Sequence, residues 1–156
     1  MVDNSPSWTR ESDFGLGISW VLLCLALGLH VTDEALTGFL SVYNPTVIAL
    51  RERFGFWPMP TFEFRQWLIG LIILFLTMAM LSPFAFRNAA WIRPIFYFVA
   101  IVVGIVNAIA HTAATIFGQT VDTVQFLRPA PGFYSSPFLF AAAVYALFQL
   151  WKTRPG

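Results

Sequence analysis

Apolar and polar positions fall along this chain in long blocks. Between consecutive charges lie four uncharged windows, residues 14–32, 66–86, 94–121 and 129–151. Each reaches the roughly 17 to 25 residues that a helix needs to cross a bilayer. The blocks predict an all-α fold, an integral membrane four-helix bundle with spans at about 14–34, 66–84, 91–117 and 136–151, forming a single domain over 1–156.

The connections differ in character. The first, about thirty residues, is long against the usual two to eight and needs structure of its own. Asn44-Pro45 has the form of an N-cap followed by proline at the first helical position. Thr46 to Phe54 then mixes apolar residues with Arg51, Glu52 and Arg53, as a short interfacial helix would. Phe56-Trp57-Pro58-Met59-Pro60 cannot continue that helix, because its prolines lack donors, and the whole segment is expected to form a lid over the end of the first span. A tight link through Arg87 and Asn88 follows the second span. The last link carries Gln119, Asp122, Gln125 and Arg128, then Pro129, Pro131 and Gly132, which force a loop, and Ser136-Pro137 opens the fourth helix. Gly15, Gly17 and Gly28 on the first helix and Ala141, Ala142 and Ala143 on the fourth are the expected close-packing residues. Trp20 is expected in the core, and Trp57, Trp67, Trp91 and Trp151, which flank apolar windows, at headgroup level.

Composition agrees with a membrane protein: 58% of residues are hydrophobic, 11% are charged and the mean hydropathy is +0.70, a poor fit to a soluble domain. A net charge of +1 without a Lys/Arg stripe excludes nucleic acid as a partner and leaves membrane lipid or a hydrophobic small molecule. Cys24 is the single cysteine and has no disulfide partner. The N-terminal tail, with Asp3, Glu11 and Asp13 against Arg10, lacks the basic start of a cleavable signal, and Leu23 before Cys24 spoils a lipobox, so the first span is expected to be retained. Arg10, Arg87, Arg93, Lys152 and Arg154 fall on one side and Arg51, Arg53, Arg65 and Arg128 on the other, a five-to-four lean towards cytoplasmic termini.

Two polar constellations interrupt the apolar blocks. In His30-Val31-Thr32-Asp33-Glu34 the ionisable residues stand at i, i+3 and i+4 and share a helix face. Asn107 and His111 share another, amid Ile, Val and Ala. An ionisable group at membrane depth costs about 2.5 to 3.5 kcal/mol on insertion scales and usually faces a protein interior or a wet cavity. In a four-span chain the first and third helices run the same way. Counted from Phe14 and Ile95, His30 and His111 each lie 16 residues in, or about 24 Å into the bilayer. The five residues should therefore line one cavity open to an interface. Ser135 and Ser136, at the N-terminus of the fourth helix, would provide an anion-friendly rim for a substrate head. The plainer alternatives are a snorkelling helix end at His30 and a lone His111 bonded to a neighbouring carbonyl.

His-x-x-Asp-Glu followed by Asn-x-x-x-His in a small helical membrane chain resembles the HXXEE-domain family of uncharacterised membrane proteins. The likeness covers roughly residues 14–151, with Asp33 in place of the first Glu, and implies a membrane enzyme with His30, Asp33 and Glu34 as motif positions. A more distant likeness is to the EXPERA group, membrane bundles that include sterol isomerases and sigma-2-type ligand binders, where a His and a carboxylate one turn apart work inside a lipid-filled cavity.

Three functions suit these residues. The first is acid/base chemistry on a lipid or other amphipathic substrate, with Glu34 donating a proton and His30 or His111 accepting one, as an isomerisation or elimination requires. The second is a metal-dependent enzyme in which His30, Glu34 and His111 bind a divalent ion. With only one His on each helix, and without the His-rich clusters of membrane desaturases, the first is preferred over the second. The third is a non-enzymatic lipid binder or accessory subunit, although interhelical hydrogen bonds in membranes average only about 0.6 kcal/mol.

Overall fold

The computed structural model describes residues 7–117 and 129–154. Gln119, Asp122, Gln125 and Arg128 of the last link, and Asp3 of the tail, lie outside the described residues. The chain runs as α1 (Ser7–Thr37), α2 (Leu40–Phe54), α3 (Phe64–Phe86), α4 (Ile92–Phe98), a π-helical stretch (Val99–Val106), α5 (Asn107–Phe117) and α6 (Ser136–Lys152), with no strand among the described residues. Three stretches, Asp13–Thr37, Phe64–Phe86 and Ile92–Ile116, are long and apolar enough to cross a membrane. The fourth apolar helix, α6, has 17 residues and is about 26 Å long.

α1 is the rod on which the others pack. Its buried residues Leu16, Trp20, Leu23 and Leu27 recur at helical spacing and present one face, which meets α3 and α6. The Trp20 indole N–H donates to the Met78 carbonyl of α3 at 2.8 Å, and its ring stands edge-on to Phe96 of α4. α6 buries Ser136, Leu139, Ala143, Ala146 and Leu150, a single stripe. Of the alanines expected to pack closely, only Ala143 lies fully inside, because the stripe's period turns Ala141 outward. α3 is peripheral, with 11% of its apolar window buried and Ile69, Ile73, Leu76 and Met80 pointing outward. A helix apolar on all sides is what contact with hydrocarbon requires.

Small residues set the helix separations. A methyl group at Gly104, in the π stretch, would stand 2.5 Å from the Cβ of Ala143, and one at Gly17 would overlap the Phe86 ring. The third span is not one regular helix. Its π turns, which bond i to i+5, change the rotational phase at which α5 begins and hence the direction in which Asn107 and His111 point.

α1 ends at Gly38, whose φ of 78° suits glycine. The Phe39 N–H closes the helix by donating to the Glu34 carbonyl at 3.0 Å, the six-to-one bond of a Schellman turn. The chain then re-enters a helix at once. α2 begins at Leu40, so Pro45 stands inside it, and Asn44 is not its cap. The Asn44 side chain instead donates to the Phe62 carbonyl at 2.8 Å and accepts the Phe62 N–H at 3.0 Å. These bonds, with Tyr43 Oη to the Pro60 carbonyl and Arg51 to the Trp57 carbonyl, fold the proline-rich strip back along α2. Phe39 stacks on Trp67 at 5.7 Å. Trp67 is thereby buried beneath the lid segment rather than exposed, whereas Trp57, Trp91 and Trp151 keep large exposed faces.

Gly104 and Gly70 give opposite expectations. Gly104→Ala must push the third span away from α6, with a loss of about 1 to 3 kcal/mol. A methyl group at Gly70 on α3 meets nothing within 4 Å, and Gly70→Ala gains up to about 1 kcal/mol of helix propensity. Thermal unfolding of the two variants in detergent measures both signs.

Candidate functional site

The polar residues of α1 and α5 meet where both helices approach their C-terminal ends. The i, i+4 spacing directs His30 and Glu34 to one side of α1, and the same spacing directs Asn107 and His111 from α5 towards them. His111 Nε2 stands 3.1 Å from Glu34 Oε1 and His30 Nε2 stands 3.6 Å from it. The two imidazoles are edge-to-face, with ring centroids 4.8 Å apart. Asn107 Nδ2 lies 3.0 Å from His30 Nε2. His30, Glu34 and His111 are 1%, 6% and 7% exposed, so the cluster is sealed. Burial of a carboxyl group is tolerable only with hydrogen-bond partners on its oxygens, and His111 supplies one.

Asp33, one position earlier on α1, turns to the start of α6 and is half-buried. Its Oδ2 accepts the Ser135 backbone N–H at 2.9 Å and the Ser135 hydroxyl at 2.8 Å. Ser135 Oγ also lies 2.9 Å from His30 Nδ1. The Ser136 hydroxyl donates to the Gly132 carbonyl at 2.8 Å. The anion-friendly rim expected at Ser135 and Ser136 is therefore already occupied by the protein's own Asp33 carboxylate, and both hydroxyls are committed internally. A negative group at a helix N-terminus is favourable, and here α1 provides it to α6.

Residues 129–135 close the cluster. Gly132 has a φ of 82°, and a methyl group on it would come within 2.9 Å of His30 Cε1, 3.0 Å of Glu34 Cγ and 3.1 Å of His111 Cε1. The loop is held by two threonines, each four residues beyond a site residue. Thr115 Oγ1 donates to the His111 carbonyl and accepts the Ala130 N–H, both at 2.9 Å. Thr37 Oγ1 accepts the Gly132 N–H at 3.3 Å. Gly132, Thr37 and Thr115 are absent from the candidates drawn from the sequence. The signal for the two threonines was the i+4 spacing, which extends each polar face by one turn.

The expected open cavity is replaced by a closed centre with apolar space beside it. A cavity of about 500 Å³ lies between α5 and α6, lined by Ala108, Ile109, Thr112, Ser136 and Phe140 among others. Another of about 460 Å³ lies between α1 and α3. Phe39 of the lid segment approaches His111 at 5.8 Å between ring centroids and screens the remaining side.

No family model, curated protein or solved structure matches the chain.

Gly132→Ala tests the closure. The left-handed backbone costs a residue with a Cβ about 1 to 2 kcal/mol, and contact with all three side chains adds to this. The thermal midpoint should fall by several degrees. Gly55→Ala serves as the reference, since Gly55 has a φ of 70° but no atom within 4 Å of its added methyl; it should fall by less.

Proposed function

We propose that this chain is a four-span integral membrane protein whose His/carboxylate centre carries out acid/base chemistry on a lipid or other amphipathic substrate. The observation that carries the proposal is the convergence of His111 and His30 on one Glu34 carboxylate oxygen, at 3.1 and 3.6 Å, with all three residues at less than a tenth of their full exposure. Burying three ionisable groups in apolar surroundings is costly, and simple helix-to-helix adhesion would not require it. The likeness of His30-to-Glu34 and Asn107-to-His111 to the HXXEE pattern supports the same reading.

Three helices have spanning length and composition. α6 makes the fourth span because it packs along α1 and the third span over most of its length, and its outward face carries Phe138, Phe140, Val144 and Phe148. Those side chains are suited to hydrocarbon. α2 and the strip after it, with Phe54, Phe56 and Met59 exposed beside Arg51 and Arg53, lie in the interface at the mouth of the site.

Chemically, Glu34 and His111 are the proton-exchanging pair, His30 is oriented by Ser135 and Asn107, and Asp33 holds Ser135. The apolar groove between α5 and α6 begins beside His111, at Thr112 and Ala108, and has room for a substrate's chain. Entry of a reacting group requires the 129–135 loop or Phe39 to shift.

Two measurements test this. Even span number places both termini on one side of the membrane, so labelling of a cysteine introduced near each end, in a Cys24→Ser background, should occur from the same side; opposite sides would mean three spans. Incubation with extracted membrane lipids, followed by mass spectrometry, should reveal a product that falls by about 10² to 10⁴-fold in His111→Gln and Glu34→Gln. Absence of any product with folded wild-type protein would instead favour a lipid binder.

A further inference from the structure

We propose that His30, Glu34 and His111 are the ligand set of one divalent transition-metal ion. The inference rests on the cluster being the reactive centre, and it can fail separately. Each residue offers one donor atom, and these atoms all lie within 4.8 Å of one another. Around a tetrahedral ion with bonds of about 2.0 to 2.1 Å, donor atoms sit about 3.3 Å apart. The two separations to Glu34 Oε1, 3.1 and 3.6 Å, bracket that distance, and the imidazole nitrogens, within 4.8 Å of one another, draw together around the ion. Two imidazoles and one carboxylate suit ions of the zinc or ferrous class, whereas magnesium and calcium favour all-oxygen sites.

Hydrogen bonding around His30 presents the correct atom. Ser135 Oγ has one proton, and the Asp33 carboxylate at 2.8 Å and the Gly132 carbonyl at 3.1 Å can only accept it. Ser135 Oγ must therefore accept from His30, so Nδ1 bears the ring proton and Nε2 carries the lone pair. A ring N–H tied to an outer carboxylate or hydroxyl is the usual support of a metal-binding imidazole. The Asn107 amide at 3.0 Å occupies that lone pair without an ion, and it must turn away when an ion binds. Three protein donors leave a position for water, which a bound ion of this class makes a base near neutral pH, and that water becomes the proton-transferring group of the centre.

The test uses the full chain without an affinity tag, purified in detergent, stripped with a chelator and titrated with Co²⁺. The chain has two histidines and both are in this cluster, so an imidazole-ligated cobalt signal has no other source. The expected result is visible d–d absorption that saturates at one equivalent and is displaced by Zn²⁺. His111→Gln and Glu34→Gln should abolish saturation. Ser135→Ala, which keeps all three ligands, should weaken binding about 10 to 100-fold, with a retained cooperative unfolding transition confirming that it is folded. Cobalt binding by the wild type no tighter than by His111→Gln would overturn the inference. Turnover of a lipid by chelated, metal-free protein would also overturn it while leaving the acid/base centre intact. Stoichiometric cobalt binding without turnover would keep the ion and remove the enzyme.

Discussion

A carboxyl group held between two imidazoles in an otherwise apolar interior is the constraint on which this structure depends. Neither α1 nor α5 satisfies its polar face alone, since Glu34 takes its partner from His111 and His30 from Ser135 and Asn107. The contact between Glu34 and His111 fixes the rotation of α5 against α1. The contact from His30 through Ser135 to Asp33 fixes the start of α6 against the end of α1. The cost of leaving any of these groups unpaired in low dielectric supplies an orientation that nonpolar packing cannot, because lipid tails are as apolar as the helices they surround.

Close approach of the helices makes those contacts reachable. Gly104 against Ala143 lets the third span lie on α6, and Gly28 and Gly17 admit Phe75 and Phe86 of α3 to the surface of α1. The large residues work in the opposite sense. Trp20 fills the centre of the bundle while its N–H reaches a helix carbonyl, so its one polar atom is satisfied, and Arg93 ties the opposite end by donating to the Leu150 and Thr153 carbonyls at the close of α6. The two ends are thus polar and the middle is apolar, the distribution that a bilayer imposes.

The site's closure links fold to function. A methyl group on Gly132 would meet His30, Glu34 and His111 alike, and threonines on α1 and α5 hold its loop in place. Water is kept away from Glu34 and the imidazoles, which strengthens every electrostatic interaction among them. Apolar space lies beside His111, between α5 and α6. The polar cluster and this chain-sized groove are therefore neighbours.

Much was legible in the sequence because membrane helices announce themselves by length and composition. The apolar blocks located α1, α3, the third span and α6 to within a few residues, except at the start of α1, and depth counting from Phe14 and Ile95 placed His30 and His111 at one level. Helical spacing identified the polar faces. Local patterns were less reliable where tertiary bonds compete with them: Asn44 has the form of a cap but pairs with Phe62, and Pro45 is carried inside α2. The serines at the start of α6 looked like free donors because the sequence does not say that Asp33 would arrive there. The π turns, the seal formed by Gly132 and the direction of each imidazole were decided only by the packed structure. Blocks of hydrophobicity determine how far along a helix a residue lies, but the angle at which it faces its partners is set by contacts between segments distant in sequence, and those contacts exist only once the helices have packed.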